Sequence, residues 1–156
     1  MVPLAFSSIS KDILRYAVKL AAALNADLLL VNVINERDIE AVQVISTFGY
    51  KIDEEHYIEE IEKQRIDMLK QMISELDFPE EHIHFAVKVG KPARVLLKVA
   101  VQEKVDMIVM GVKAQSDLIH AFTGSVADKL FHRSPITIVS YRDDHTAEKL
   151  LKKVKG

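Results

Sequence analysis

Met107-Ile108-Val109-Met110-Gly111-Val112-Lys113-Ala114 is the stretch of sequence that decides the fold. Its first four residues are continuously apolar, which is typical of a parallel strand covered on both faces. Gly111 follows that strand directly, and a glycine lets the backbone turn tightly and approach a ligand. Downstream, Gly124-Ser125 opens a helical pattern at Val126 and offers an anion free N–H groups, a hydroxyl and the positive end of a helix dipole. A loop of this composition can hold a phosphate.

Strands and helices alternate along the rest of the chain. The predicted strands are Val2 to Phe6, Leu28 to Ile34, His84 to Val89, Val105 to Met110 and Ile136 to Tyr141. The predicted helices run from the N-cap candidates Ser7 to Ser10 as far as Leu24, from Asp53 to Leu76, from Pro92 to Ala100 and from Val126 to Ser134. Residues 35–51 show no clean period and are predicted as a loop with room for a short helix. This alternation predicts right-handed crossovers and one open, doubly wound α/β fold with a parallel sheet and helices on both faces.

Composition limits the class of protein. A chain of 156 residues with 49% apolar and 28% charged residues predicts one globular domain. The net charge of −2 argues against a nucleic-acid partner, and zero cysteines exclude disulfides, cysteine-bound zinc and thiol catalysis. The first residues lack a basic leader, and the apolar stretch from Ile13 to Ile34 carries charged residues that a membrane-spanning helix would not tolerate. We expect a soluble, cytoplasmic protein without a membrane partner.

The candidate site follows from the topology. Ligands of open parallel sheets bind beyond the carboxyl ends of the strands, where the strand order reverses. The loops Ala5 to Ser10 and Gly111 to Ser125 should meet there, beside the end of the second strand near Val33. Ser125-x-x-Asp128 also matches a capping box, in which a serine and an acid satisfy the first N–H groups of a helix. Spacing alone leaves both uses of Ser125 open.

Longer motifs resemble the universal stress protein family over nearly the full length of the chain. They are Val2-Pro3-x-x-Phe6-Ser7, Leu29 to Ile34, Gly90-Lys91-Pro92, Asp106 to Gly111, Gly124 to Leu130 and Ser134 to Val139. The resemblance implies a five-stranded sheet of order 3-2-1-4-5 in residues 1–142, followed by a short basic amphipathic tail in residues 143–156. It also implies a homodimer through the fifth strand, residues 136–141, whose apolar edge would favour aggregation if it were unpaired.

The nucleotide-binding branch of that family carries a glycine motif. It consists of Gly, two residues, Gly, nine residues, and Gly-Ser or Gly-Thr. Gly111 and Gly124-Ser125 reproduce the first and last elements with the same spacing. The second glycine is replaced by Ala114, and the aspartate that follows the first strand of the binding branch is replaced by Ala5. The chain therefore stands between the nucleotide-binding and the nucleotide-free branch.

The resemblance also implies the contacts of a bound ATP or AMP, with Mg²⁺ arriving only with the nucleotide. Adenine would lie near Pro3, Leu4 and Ala5, and the backbone of Val33 would face the base or the ribose. The ribose and α-phosphate would be bordered by Met110, Gly111, Lys113 and Ala114, and the outer phosphates held by Gly124, Ser125 and Val126. Lys113 can add a positive charge in the turn or simply be a solvated lysine.

Catalytic and metal motifs find little support in the sequence. No Gly-x-x-x-x-Gly-Lys-Ser/Thr loop is present, and Phe6 to Ser10 lacks the glycines and the aspartate of an adenylating loop. His82-x-His84 can place two imidazoles on one face of a strand, but no cysteine or carboxylate motif completes a metal site. We therefore expect neither a metal nor a catalytic residue.

Three functions stay open at this point. They are a nucleotide-responsive adaptor or sensor, a nucleotide-free dimeric stress protein, and a weak ATP hydrolase. The tail adds a further question, because Ala147, Leu150, Leu151 and Val154 fall on one helical face among lysines. Such a helix can bind a partner or a membrane surface, or else pack on its own domain or fray.

Overall fold

Parallel strands alternate with helices throughout the computed structural model, which describes residues 1–40, 54–112 and 126–155. Its strands are β1 (Val2–Pro3), β2 (Leu28–Asn35), β3 (Ile83–Gly90), β4 (Met107–Gly111) and β5 (Thr137–Tyr141). Its helices are α1 (Ser10–Leu24), α2 (residues 36–40), α3 (Glu54–Ser74), α4 (Pro92–Gln102), α5 (Val126–Arg133) and α6 (Asp144–Lys155). A 3-10 helix spans Glu80–His82 before β3.

The strands form a three-stranded sheet, in the order β1-β2-β3, and a two-stranded sheet of β4 and β5, and every pairing is parallel. Met1 links the two sheets: its amine donates to the Met107 carbonyl at 2.8 Å, and its carbonyl accepts from the Val109 N–H at 2.9 Å. The predicted α/β class is confirmed. The single five-stranded order 3-2-1-4-5 stays a prediction, because β1 is two residues long and the described strands divide into two sheets.

Helices cover both faces of β2. Leu28, Leu30 and Ile34 belong to a hydrophobic cluster that contains buried residues of α1 and α3. Val31, with Leu29 and Val33 packed beside it, belongs to a second cluster that contains buried residues of α4 and α5. Since successive side chains of a strand point to opposite faces, this division places α1 and α3 on one face and α4 and α5 on the other.

The first strand is shorter than predicted. The Leu4 N–H still donates to the Val31 carbonyl at 2.8 Å, but Phe6 has a φ of 52°, which turns the chain out of the sheet. The predicted strand from Val2 to Phe6 is therefore wrong beyond Pro3. The serine caps are also wrong, because Ile9 precedes α1 without a side-chain cap. The Ser10 hydroxyl instead accepts the Ser7 N–H at 2.8 Å within the turn.

The fourth strand starts at Met107 rather than at the predicted Val105. The Val105 N–H donates to the Ala100 carbonyl at 2.9 Å, and Lys104 has a φ of 51°. This is the pattern of a left-handed helix end, in which residues beyond the last turn return to satisfy its carbonyls. Val105 thus completes α4 instead of beginning β4.

The tail forms a helix, α6. Its first turn is capped by Asp143, whose Oδ1 accepts the Thr146 N–H at 2.6 Å. Leu151 is 51% exposed and Val154 is 84% exposed, so the apolar face is largely uncovered at its far end. None of the helices within the described ranges is long and apolar enough to span a membrane.

Candidate functional site

The end of β4 meets the start of α1 at Gly111. A Cβ built on Gly111 would lie 2.5 Å from Ile13 Cδ1 and 2.8 Å from Ile9 Cδ1, so any side chain at this position would force the ends of these two isoleucines to move. The φ of Gly111 lies outside the left-handed region. Gly111 therefore lies beside the end of the turn after β1, whereas residues 113–125 of the second predicted loop lie outside the described residues. Its close packing on α1 is a reason for glycine that the sequence did not reveal.

Asn32 holds the end of β1 in place. Its Nδ2 donates to the Leu4 carbonyl at 2.7 Å, and the residue is 5% exposed. Its Oδ1 is buried and has no hydrogen-bond partner among the described residues. A buried amide oxygen usually finds a donor, so the Asn32 Oδ1 atom still has the capacity to accept a hydrogen bond. Sequence reasoning missed Asn32, although one amide within the apolar run Leu28 to Ile34 was a visible signal.

The residues predicted to contact the adenine, the ribose or the α-phosphate differ in their access to solvent. Ala5 is exposed, and Pro3 and Val33 are half-buried, so these residues can present atoms to a ligand. Leu4 and Met110 are 2% and 6% exposed, and their side chains lie in the two hydrophobic clusters. Any contact from these two residues in this conformation would therefore come from their backbone.

The predicted phosphate half of the site falls largely outside the described residues. Lys113, Ala114, Gly124 and Ser125 all lie there. Val126 is the first residue of α5 and is 38% exposed. On the other side of the gap, the Val112 N–H donates to the Tyr141 carbonyl at 3.2 Å, which ties the end of β4 to the end of β5.

A cation lies beside the turn after β1. The Arg65 guanidinium is 5.1 Å from the centroid of the Phe6 ring, and an arginine at this distance from a ring face stabilises it by a cation–π interaction. Arg65 comes from α3, and nothing in its local sequence connects it with Phe6. The contact helps to hold the turn in the conformation that Phe6, with its positive φ, requires.

Tyr141 ends β5 next to the site. Its ring centroid is 5.4 Å from that of Tyr16. Burial raises the pKa of the Tyr141 hydroxyl above its usual value; Asp12, Asp144 and Asp143 raise it further, and Arg15 lowers it. A tyrosine hydroxyl is protonated at neutral pH even at its ordinary pKa of about 10, so this one can donate a hydrogen bond.

His82 lies in the 3-10 helix and His84 in β3, at the opposite edge of the sheet, so the prediction that both lie on one strand is wrong. The Nδ1 of His82 is 2.6 Å from Asp27 Oδ1, and the Nε2 of His84 is 3.9 Å from Asp27 Oδ2. Within residues 1–40, 54–112 and 126–155, no group of three histidine or carboxylate side chains is placed to hold a metal ion. The pair is therefore joined to one carboxylate in an exposed ion-pair cluster.

Comparisons with known proteins agree with this fold. The model of the universal stress protein family matches residues 1–142. The universal stress protein MJ0577 of Methanocaldococcus jannaschii is 24% identical over 92% of this chain and 94% of its own. Its solved structure superposes with a TM-score of 0.65 at 23% identity, covering 92% of this chain and 96% of that one.

Two further structures share the fold. The universal stress protein UspA of Lactobacillus plantarum has a TM-score of 0.59 at 17% identity, with 90% of this chain and 96% of that chain covered. A universal stress protein in complex with cAMP has a TM-score of 0.60 at 20% identity, with 90% and 94% covered. With its family model matched from residue 1 to residue 142, the chain belongs to the universal stress protein family.

Proposed function

We propose that this protein is a nucleotide-responsive adaptor that binds ATP or AMP at the carboxyl ends of β1, β2 and β4. The observation that carries the proposal is the junction at Gly111, where the end of β4 packs against Ile9 and Ile13 at the start of α1. This junction brings the turn after β1 to the first residue of the glycine motif. A related protein solved with cAMP supports an adenine nucleotide as the ligand.

The proposed contacts divide between base and phosphates. Ala5, Pro3 and the backbone of Val33 border the base, and their exposure supports this role. The ribose and phosphates are assigned to the backbone of Met110 and Gly111, to Lys113 and Ala114, and to Gly124, Ser125 and Val126. Helix α5 begins at Val126, so its N–H groups follow Gly124-Ser125 and suit an anion. Mg²⁺ is expected only as a companion of the phosphates.

Association of two copies completes the proposal. We assign a homodimer to residues 136–141, because β5 pairs with β4 along one edge and its other edge has no partner among the described strands. We further propose a continuous sheet of order 3-2-1-4-5 in each copy and a cytoplasmic location. Nucleotide binding would alter a surface to which a partner protein binds. We propose no catalytic residue.

A second function is favoured by one observation. The packing of Gly111 on α1 explains this glycine without any ligand. Together with Ala5 and Ala114, it supports a nucleotide-free dimer that acts through protein contacts. A weak ATP hydrolase has no comparable support.

Thermal unfolding with a panel of nucleotides separates the two functions. A ligand at 100 times its Kd stabilises a protein by about 2.7 kcal/mol, which raises the Tm of a domain of this size by roughly 6 °C. We expect ATP or AMP to produce such a shift in the wild type and in the control Ala22→Val, an exposed position on α1 outside the proposed site, but not in Gly124→Val. Equal shifts in Gly124→Val, or no shift in any variant at millimolar nucleotide, would favour the nucleotide-free dimer.

A further inference from the structure

A second concave surface lies at the amino ends of β1, β2 and β4, at the opposite edge from the proposed nucleotide site. It is a cleft of about 830 Å³, which we term the amino-end groove. Its walls are apolar residues of α1 and β4, and its rim carries three carboxylates. Its members include Leu20 and Leu24 of α1, Met107 of β4, and Asp27, Glu103 and Asp106 on the rim.

Helix α6 has the complementary character. Its apolar face ends in Leu151 and Val154, which are 51% and 84% exposed. Exposed apolar side chains on one face of a helix are typical of a surface that a partner covers. Residues 144–155 carry four lysines and two acids, so the helix has a net charge of +2, and three of its lysines lie in the last turn. With histidine counted as neutral, the three carboxylates outnumber the two cations that line the groove, Lys104 and the Met1 amine, so the lining is net negative.

The position of α6 argues for a groove on another copy. The helix begins at Asp144, just beyond the carboxyl end of β5, whereas the groove lies at the amino ends of the strands. The residues that line the groove come from other elements of the described chain, and none comes from α6. When two copies pair through β5 about a twofold axis perpendicular to the sheet, their β5 strands run antiparallel. The carboxyl end of each β5 then lies beside the amino edge of the other copy.

We infer that α6 of one copy docks in the amino-end groove of a second copy. This inference rests on the dimer proposed above. The 12-residue helix is about 18 Å long, which lets it reach across the neighbouring strand edge. Leu151 and Val154 then exchange water for the apolar walls, and the basic last turn lies against the acidic rim. Each copy gives a helix and receives one, as a closed twofold interface requires.

Crosslinking tests the docking directly, since the chain has no cysteine of its own. Val154→Cys is prepared in a tagged chain and Leu24→Cys in an untagged chain; both side chains are largely exposed, so the variants should fold. The two are mixed, equilibrated and treated with a short bismaleimide. We expect a covalent dimer of one tagged and one untagged chain. The control pairs Leu24→Cys with Phe131→Cys, an exposed position on α5, and each single variant is also treated alone.

Charge exchange supplies a second readout. Lys152→Glu with Lys155→Glu should lower the crosslinking yield severalfold at low salt, because exposed ion pairs each contribute modestly and the reversal replaces attraction with repulsion. Asp27→Lys with Asp106→Lys in the other chain should restore it.

The outcomes separate the docking from the dimer itself. A dimer by light scattering with no mixed crosslink would overturn the docking and leave pairing through β5 intact. A chain that carries both Leu24→Cys and Val154→Cys is treated in the same way. If it crosslinks within itself and no mixed dimer forms, α6 covers its own groove, which also overturns the inference. A monomeric wild type would overturn the dimer and the docking together.

Discussion

Gly111→Ala should destabilise the protein by crowding the junction of β4 and α1. The new methyl carbon would lie 2.5 Å from Ile13 Cδ1 and 2.8 Å from Ile9 Cδ1, against an optimal carbon–carbon separation of about 3.5–4.0 Å. Both neighbouring atoms are the ends of flexible side chains, so part of the overlap can relax. Overpacking of this kind costs about 1–3 kcal/mol, and we expect about 2 kcal/mol.

A double-mutant cycle isolates the cause. Ile13→Val removes the Cδ1 atom that lies closest to the new methyl group, and by itself costs about 1 kcal/mol. If the overlap is the cause, the double variant Gly111→Ala with Ile13→Val should lose less free energy of unfolding than the sum of the two single losses, by at least ~1 kcal/mol. The control is Ile39→Val, which removes the same methyl group from the same hydrophobic cluster at an equally buried position.

Urea unfolding followed by far-ultraviolet circular dichroism measures these free energies, since the chain has no tryptophan. The reasoning would be refuted if Gly111→Ala were within about 0.5 kcal/mol of the wild type, the usual range for an exposed substitution. It would also be refuted if Ile39→Val restored as much stability as Ile13→Val.

Three further predictions concern the same framework. Asn32→Asp should lower the free energy of unfolding by several kcal/mol at pH 8, because a buried carboxylate would face the Leu4 carbonyl. The variant should recover stability near pH 4. In the same urea unfolding experiment, the control Asn35→Asp on the same strand should be nearly neutral. Burial lowers the pKa of the Met1 amine from 8.0 to about 6, with Asp106 opposing the shift. The unfolded chain then binds more protons between these values, so the free energy of unfolding should rise by about 2 kcal/mol from pH 6 to 8, and acetylating this amine should abolish that rise. Ala5→Asp should tighten ATP binding about 10²-fold in a direct titration, by restoring the charged hydrogen bond that the binding branch of the family makes; an unchanged Kd would exclude that role.

Periodicity was sufficient to predict most elements of the fold. The apolar run from Leu28 to Ile34, interrupted only by Asn32, forms a strand covered on both faces, and Asn25, with a φ of 51°, ends α1 where the sequence indicated. The errors lie at positions where backbone geometry overrides side-chain pattern. Phe6 adopts a positive φ that favours glycine, and Val105, an apolar residue before a strand, completes the end of α4.

The site was less predictable because its determinants are contacts between distant segments. Spacing identified Gly111, but its packing against Ile13 depends on how α1 lies over β4. The bond from Asn32 to the Leu4 carbonyl and the stacking of Arg65 over Phe6 each join segments far apart in the chain, so no local motif marks them. Ala5 is the opposite case, since the departure from the family pattern is visible in the sequence and its exposure leaves room for a ligand.

The central claim, that this chain binds an adenine nucleotide despite Ala5 and Ala114, is tested most directly by calorimetry. Protein stripped of ligand is titrated with ATP, and separately with AMP, in the presence and absence of Mg²⁺. We expect saturable heat with a Kd in the micromolar range, lost in Gly124→Val and retained in Ala22→Val. Absence of heat at millimolar ATP and AMP, from protein shown to be folded, would contradict the claim and leave β5 and α6 as its functional surfaces.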